Sequence, residues 1–289
     1  MAMKAEVQIQ PVREQEIGAL AEAIADEYFP GTSFNAEPVL DDCAITLSYG
    51  RYREAFDGML EHKNLRFHIY CNLDRVQRQD SPRARFTVAH ELGHYFIDEH
   101  RSALASGRAP AHPSRCEYES TLVVEREADH FASHLLMPTE PFRKLARAHK
   151  PGLSGILAIA EYFVASVTST AIRYAKEETV PCVVLKWGPD GVCQWRWIST
   201  ETFRVRLRTT FSDQSKLPVD CPTRRAISGE KAPKAGYFEA GTTAAAWFRF
   251  VNDYDYRNVI FIEQAITLGR FGVLTFLFPE EQYPLFKER

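Results

Sequence analysis

The chain has 289 residues, 45% hydrophobic and 25% charged, which reads as a soluble globular protein with room for two ordinary domains. Its formal net charge of -3 calls for neither nucleic acid nor an anionic membrane, although residues 179–289 carry +3 against -6 for residues 1–178. No apolar run is long enough to span a bilayer and the start, MAMKAEVQIQPVREQE, has no apolar signal core, so a cytoplasmic, non-membrane protein is expected. The six cysteines (43, 71, 116, 182, 193 and 221) form no C-x-x-C pair and are expected to be reduced thiols. A bridge between Cys182 and Cys193 across a hairpin has no other support.

Residues 13–28 space Ile17, Leu20, Ala21, Ile24 and Ala25 as an amphipathic helix, which Pro30-Gly31 closes. CAITLSYG and LRFHIYCNL read as strands, and RYREAFDGMLEHKN between them as helix or turn. Ser81 can cap a helix from about Arg83 to Asp98, with Pro82 where its missing N–H does no harm. SALASGRAPAHPSRC reads as a loop, Glu119 to Leu136 as a second long helix closed by Met137-Pro138, and TEPFRKLARAH as a short one. LSGILAIAEYFVASVTSTAIRYAK reads as two helices joined near Val164-Ala165-Ser166. From PCVVLKW onward the pattern is β: CQWRWIS, ETFRVRLRTTF, AAAWFRFV, VIFIEQAIT and GVLTFLFP are strand candidates, with turns at WGPDG and LGRFG. A domain boundary is therefore expected near 179, separating residues 1–178 from 179–289.

Within RFTVAHELGHYF, two histidines and a glutamate sit among Phe86, Val88, Leu92 and Phe96. Burying such groups without partners costs several kcal/mol, and a metal ion would compensate. His90 and His94 are four apart and project from one helical face, so both can reach one ion. Glu91, rotated by about 100°, can instead take a proton from a water on that ion, the general-base position of H-E-x-x-H. Gly93 costs about 1 kcal/mol against Ala in a helix, which a close approach by another element or the substrate would explain.

A catalytic zinc needs a third protein ligand. His100 follows His94 by six residues, as in H-E-x-x-H-x-x-G-x-x-H, but Ile97 stands where that motif turns on glycine. The stripe Glu125, Ala128, Ala132, Leu135 offers a better route: two alanines allow close packing and Glu125 would point into the site. Asp129, one turn on, could accept a hydrogen bond from a ligating histidine. Glu127 on another face is the fallback ligand, while His130 and His134 lie off the stripe as ordinary surface or groove residues. Two imidazoles and a carboxylate suit Zn2+, and also Mn2+ or Fe2+.

RFTVAHELGHYF followed by EREADHFASHLLMP resembles the ImmA/IrrE family of metallopeptidases, strongly over about residues 81–138. The resemblance implies zinc ligands His90, His94 and Glu125, with Glu91 as the catalytic base. It singles out no transition-state donor among Tyr95, His112, Tyr118 and the arginines. It implies an α+β chain: a mainly helical zincin-like domain with a small sheet, a helix-turn-helix-like segment at about 153–176, and a β-rich GAF-like C-terminal domain. By its residues alone the helix pair reads as two packed helices completing the peptidase domain, and the net negative charge of residues 1–178 argues against a phosphate-binding surface there. The implied activity is cleavage of a helix-turn-helix transcriptional repressor, relieving repression of stress or mobile-element genes. The competing readings are a non-catalytic zinc-stabilised regulator that binds DNA or a partner through its C-terminal region, and a protein acting by sequestration. Direct DNA binding is left open: Arg204, Arg206 and Arg208 would form a basic strip on one strand face, or a solvated face only. Trp187, Trp195, Trp197 and Trp247 are expected in the core of the C-terminal part.

Overall fold

The computed structural model describes residues 9–31, 33–109, 111–114, 122–178, 180–199, 217–247 and 259–280. It is a mixed α+β chain dividing into two compact units, Met1–Phe142 with Ala160–Ser166, and Arg143–Ile159 with Val167–Arg289.

The first unit begins with α1 (Pro11–Tyr28) and α2 (Ala36–Asp42), followed by β1 (Thr46–Gly50), β2 (Gly58–Lys63) and β3 (Arg66–Asn72). The short α3 (Leu73–Val76), α4 (Pro82–Phe96), α5 (Asp98–Ala105), β4 (His112–Ser114) and α6 (Val123–Leu136) complete it. The sheet order is β1-β3-β2-β4, with β1 parallel to β3 and the other pairs antiparallel. The stretch 51–64, expected as helix or turn, forms a turn region and then strand β2. Gly58, Leu60 and the Asn64–Leu65 turn explain this: Leu60 is buried, its neighbours only partly so, and both turn residues have positive φ (51° and 62°), as a two-residue hairpin demands. Part of the expected 102–116 loop is helical, because α5 starts directly after Ile97 and runs to Ala105.

Ser81 Oγ accepts the Ala84 N–H at 3.1 Å, so α4 starts with a satisfied cap behind Pro82. Its N-terminal end is tied to the sheet through Asp57. This fully buried carboxylate accepts from Arg83 at 2.7 Å and from Arg75 at 2.7 Å, which holds it below the usual carboxylate range despite burial. α4 crosses α6 at Gly93: a Cβ there would lie 3.1 Å from the Ala128 Cα and 3.2 Å from its carbonyl oxygen. Gly93 is thus required by backbone contact. Ala128, Phe131, Ala132 and Leu135 are fully buried along α6, the stripe that seats it.

Helix α7 (Thr139–Ala148) and α8 (Leu153–Phe163) contribute residues to both units, and α9 (Val167–Lys176) belongs to the second. The break at 164–166 falls at Val164, whose φ is 52°. The second unit holds β5 (Val183–Trp187), β6 (Cys193–Ile198), α10 (Pro222–Ile227), β7 (Phe238–Thr243), α11 (Ala244–Trp247), β8 (Ile260–Thr267) and β9 (Val273–Pro279). These strands form an antiparallel sheet in the order β6-β5-β9-β8-β7. Trp187, Phe238, Trp247, Phe261 and Leu277 fill its core, while Trp195 and Trp197 are half-buried. AAAW is the short α11 rather than strand, as three consecutive alanines favour helix, and residues 248–251 of that candidate lie outside the described residues. The strand candidate at 201–211, with Arg204, Arg206 and Arg208, lies outside them as well. Cys182 and Cys193 are both free thiols. Among the described residues no single helix is long and apolar enough to cross a membrane; α8 and α9 reach that length only as a bent pair.

Candidate metal centre

His90, Glu91 and His94 lie on the buried face of α4. Across the Gly93–Ala128 seam, Glu125 opens the first turn of α6. The structure brings His90, His94 and Glu125 together with one donor atom from each converging. The Nε2 atoms of His90 and His94 are 3.2 Å apart, Glu125 Oε1 is 3.2 Å from His94 Nε2, and Glu125 Oε2 is 3.5 Å from His90 Nε2. Donors held 2.0–2.1 Å from one ion at tetrahedral angles sit about 3.3–3.4 Å apart. The set, two imidazoles and a carboxylate, therefore fits a divalent zinc-type ion in spacing and chemistry.

Each ring is held from behind. Asp129 Oδ1 lies 2.8 Å from His90 Nδ1. His94 Nδ1 faces His100 Nδ1 at 3.2 Å, and His100 Nε2 faces Glu127 Oε2 at 3.0 Å. Arg13 of α1 closes the row, donating from Nε to Glu127 Oε1 at 3.1 Å and from Nη2 to Glu127 Oε2 at 3.2 Å. Burial works against protonation of His90, yet Asp129 and Glu125 outweigh it and hold the pKa well above its ordinary value. His94 goes the other way: burial, with the charge of His90, brings it to about 4. Burial also lowers His100.

Glu91 is fully buried against β2. A Cβ on Gly58 would lie 2.6 Å from Glu91 Oε1 and 2.5 Å from Thr87 Cγ2, so bare backbone at Gly58 makes room for the carboxylate. Nothing in the sequence flagged Gly58, because the approach depends on how β2 lies over α4. Cys71, its partner on β3, is raised to about 12 by burial and by the charges of Glu91 and Asp57.

Other candidates lie elsewhere. His100 is next to His94 but on its Nδ1 side, whereas His90 and Glu125 face Nε2. Glu127 faces His100. Tyr95 packs on Phe67 and carries Arg101 over its ring. Tyr118 lies outside the described residues, as does the side chain of His112. His130 and His134 turn to α1, the first 2.9 Å from the Glu14 carbonyl and the second 2.8 Å from Glu22 Oε1. The link from His94 through His100 to Glu127 was missed in the sequence, although the six-residue spacing from His94 to His100 was a visible sign of proximity.

Residues 76–174 match the family model of the IrrE N-terminal-like domain, Peptidase_M78. The segment covers α4, α6 and all the residues that converge at the centre. No curated protein matches the chain significantly. Among solved structures the chain is similar to a Mycobacterium tuberculosis transcriptional regulator, with a TM-score of 0.58 at 13% identity over 92% of this chain and 76% of that one. At that identity the likeness is one of fold alone.

Proposed function

From residues 76–174, which match the IrrE N-terminal-like domain, we propose that the protein is a zinc-dependent endopeptidase of narrow specificity. Its substrate in this reading is a helix-turn-helix transcriptional repressor in the cytoplasm, and cleavage relieves repression of stress or mobile-element genes. The observation that carries the reading is the convergence of the two imidazole Nε2 atoms, 3.2 Å apart, with the Glu125 oxygens, one 3.2 Å from His94 and the other 3.5 Å from His90, and with Glu91 next to His90 on the same helix. His90, His94 and Glu125 would hold the ion, with Asp129 accepting from His90. When bound, a zinc ion makes water acidic enough to ionise near neutral pH and polarises a peptide carbonyl. The same donors accept Mn2+ or Fe2+. Glu91 takes the proton of the attacking water and returns it to the departing amine, so the peptide C–N bond breaks as a C–O bond forms. Bare backbone at Gly58, which leaves room for the buried Glu91 carboxylate, supports that role.

In this reading the zincin-like chemistry belongs to residues 1–178, with a helix-turn-helix-like pair at about 153–176, and recognition or gating to a GAF-like part at 179–289. The antiparallel sheet of the second unit supports a sensor-type domain there. The competing reading is a non-catalytic regulator in which the ion only stabilises the fold; the description of the structural neighbour as a transcriptional regulator favours it. Incubating the full chain with candidate helix-turn-helix repressors, with and without chelator, tests the proposal. Chelator-sensitive cleavage that Glu91→Gln removes supports the peptidase. Function in cells that survives Glu91→Gln rules it out.

A further inference from the structure

His100 and Glu127 have no task in the proposed chemistry, yet both are buried and bonded to each other next to a candidate ligand. The direction of each hydrogen bond in their row can be deduced. Arg13 carries only donors and grips both oxygens of Glu127, so that carboxylate accepts. Its Oε2 also faces His100 Nε2 at 3.0 Å, which makes Nε2 the protonated nitrogen of His100. A neutral imidazole has one N–H, so His100 Nδ1 is left with a lone pair. That lone pair faces His94 Nδ1 at 3.2 Å, and two facing nitrogens need one proton between them. His94 supplies it from Nδ1, and its Nε2 lone pair is then directed at His90 and Glu125.

We propose that His100 is a positioning residue: anchored by Glu127 and Arg13, it accepts the Nδ1 proton of His94 and keeps that ring in its metal-ligating tautomer and orientation. The proposal rests on the metal-centre reading and adds to it. His90 has a carboxylate directly behind it in Asp129. Glu127 is two residues after Glu125 on α6, turned about 160° from it, and serves His94 through an interposed imidazole. Partners behind ligating histidines typically govern metal affinity by 10–100-fold.

The test is zinc affinity of the full chain, measured by competition with a chromophoric chelator. His100→Leu, which fills the space without polar atoms, is expected to weaken zinc binding by 10–100-fold. His100→Gln offers a carbonyl to His94 and an amide N–H to Glu127, and is expected to restore affinity to within about threefold. Long-range proton–nitrogen NMR of the zinc-loaded wild type is expected to place the proton of His94 on Nδ1 and that of His100 on Nε2, and this needs no variant to fold. Wild-type affinity in His100→Leu, no rescue by His100→Gln, or a proton on His100 Nδ1 would each overturn the assignment. If wild type binds zinc and Glu125→Ala abolishes it while His100→Leu changes nothing, only the role of His100 falls. If wild type binds none, the metal centre itself falls, and this inference with it.

Discussion

Glu125 of the first unit and Glu263 of the second are both buried, and for different ends. In the second unit Glu263 is fully buried on β8, where Oε1 accepts the Thr223 N–H at 2.8 Å and Oε2 accepts the Trp247 Nε1–H at 3.1 Å. Its partners are uncharged donors from α10 and α11, and burial raises its pKa. In the first unit Glu125 faces the Nε2 atoms of two imidazoles, whose Nδ1 atoms are engaged on the far side. A buried carboxylate alone therefore does not mark a functional site. The direction in which its neighbours' lone pairs point does: Glu263 closes a network and Glu125 opens one.

The sharpest way to break this contrast is at the proposed base. Glu91→Gln is expected to lower cleavage by at least about 100-fold, the usual range for losing a general base, while zinc content by elemental analysis stays at the wild-type value. Next comes the paired exchange. Glu125→Ala should lose zinc affinity, read by chelator competition. Glu263→Ala should keep it and instead lower denaturant stability by about 2–4 kcal/mol, because two buried N–H donors lose their acceptor. Equal effects of both on zinc would erase the distinction between the units.

Gly93→Ala should cost about 1–3 kcal/mol in urea unfolding and weaken zinc binding with it, since the added methyl meets the Ala128 backbone and separates α4 from α6. The smallest effect is at Glu22, far from the ligands. Burial alone would raise its pKa, but hydrogen bonds from His134 and from the Thr139 hydroxyl and N–H bring it down to about 2. A carboxyl lowered on folding contributes stability in full above its unfolded value near 4.5 and loses it as pH falls toward 2. Thermal unfolding should thus show a loss of about 1–2 kcal/mol between pH 5 and 2 that is missing in Glu22→Gln.

Helices α4 and α6 were legible because their signals are local: Ser81-Pro82 starts one, Met137-Pro138 ends the other, and the apolar spacing between agrees with 3.6 residues per turn. Glu125 was open to reading from the alanines beside it, since only small residues permit the contact at Gly93. Strand β2 was obscured by charged residues in 51–63, whose burial alternates only once the strand is paired on both sides. His100 was discounted because Ile97 cannot supply a left-handed turn. The chain bends there with ordinary extended dihedrals, φ -75° and ψ 109°, and starts a new helix at once. That outcome depends on Ile97 being buried, a tertiary fact with no trace in the local pattern.

The contact of α4 with α6 at Gly93 is made with Ala128 backbone and the Phe131 ring, yet it fixes the gap between donors 31 positions apart in the chain, His94 and Glu125. An ion held there also acts as a staple, closing a loop that the unfolded chain leaves open. Heat resistance should accordingly rise with free zinc by mass action, and scarcity of the metal would leave a looser, more protease-sensitive molecule as well as an inactive one.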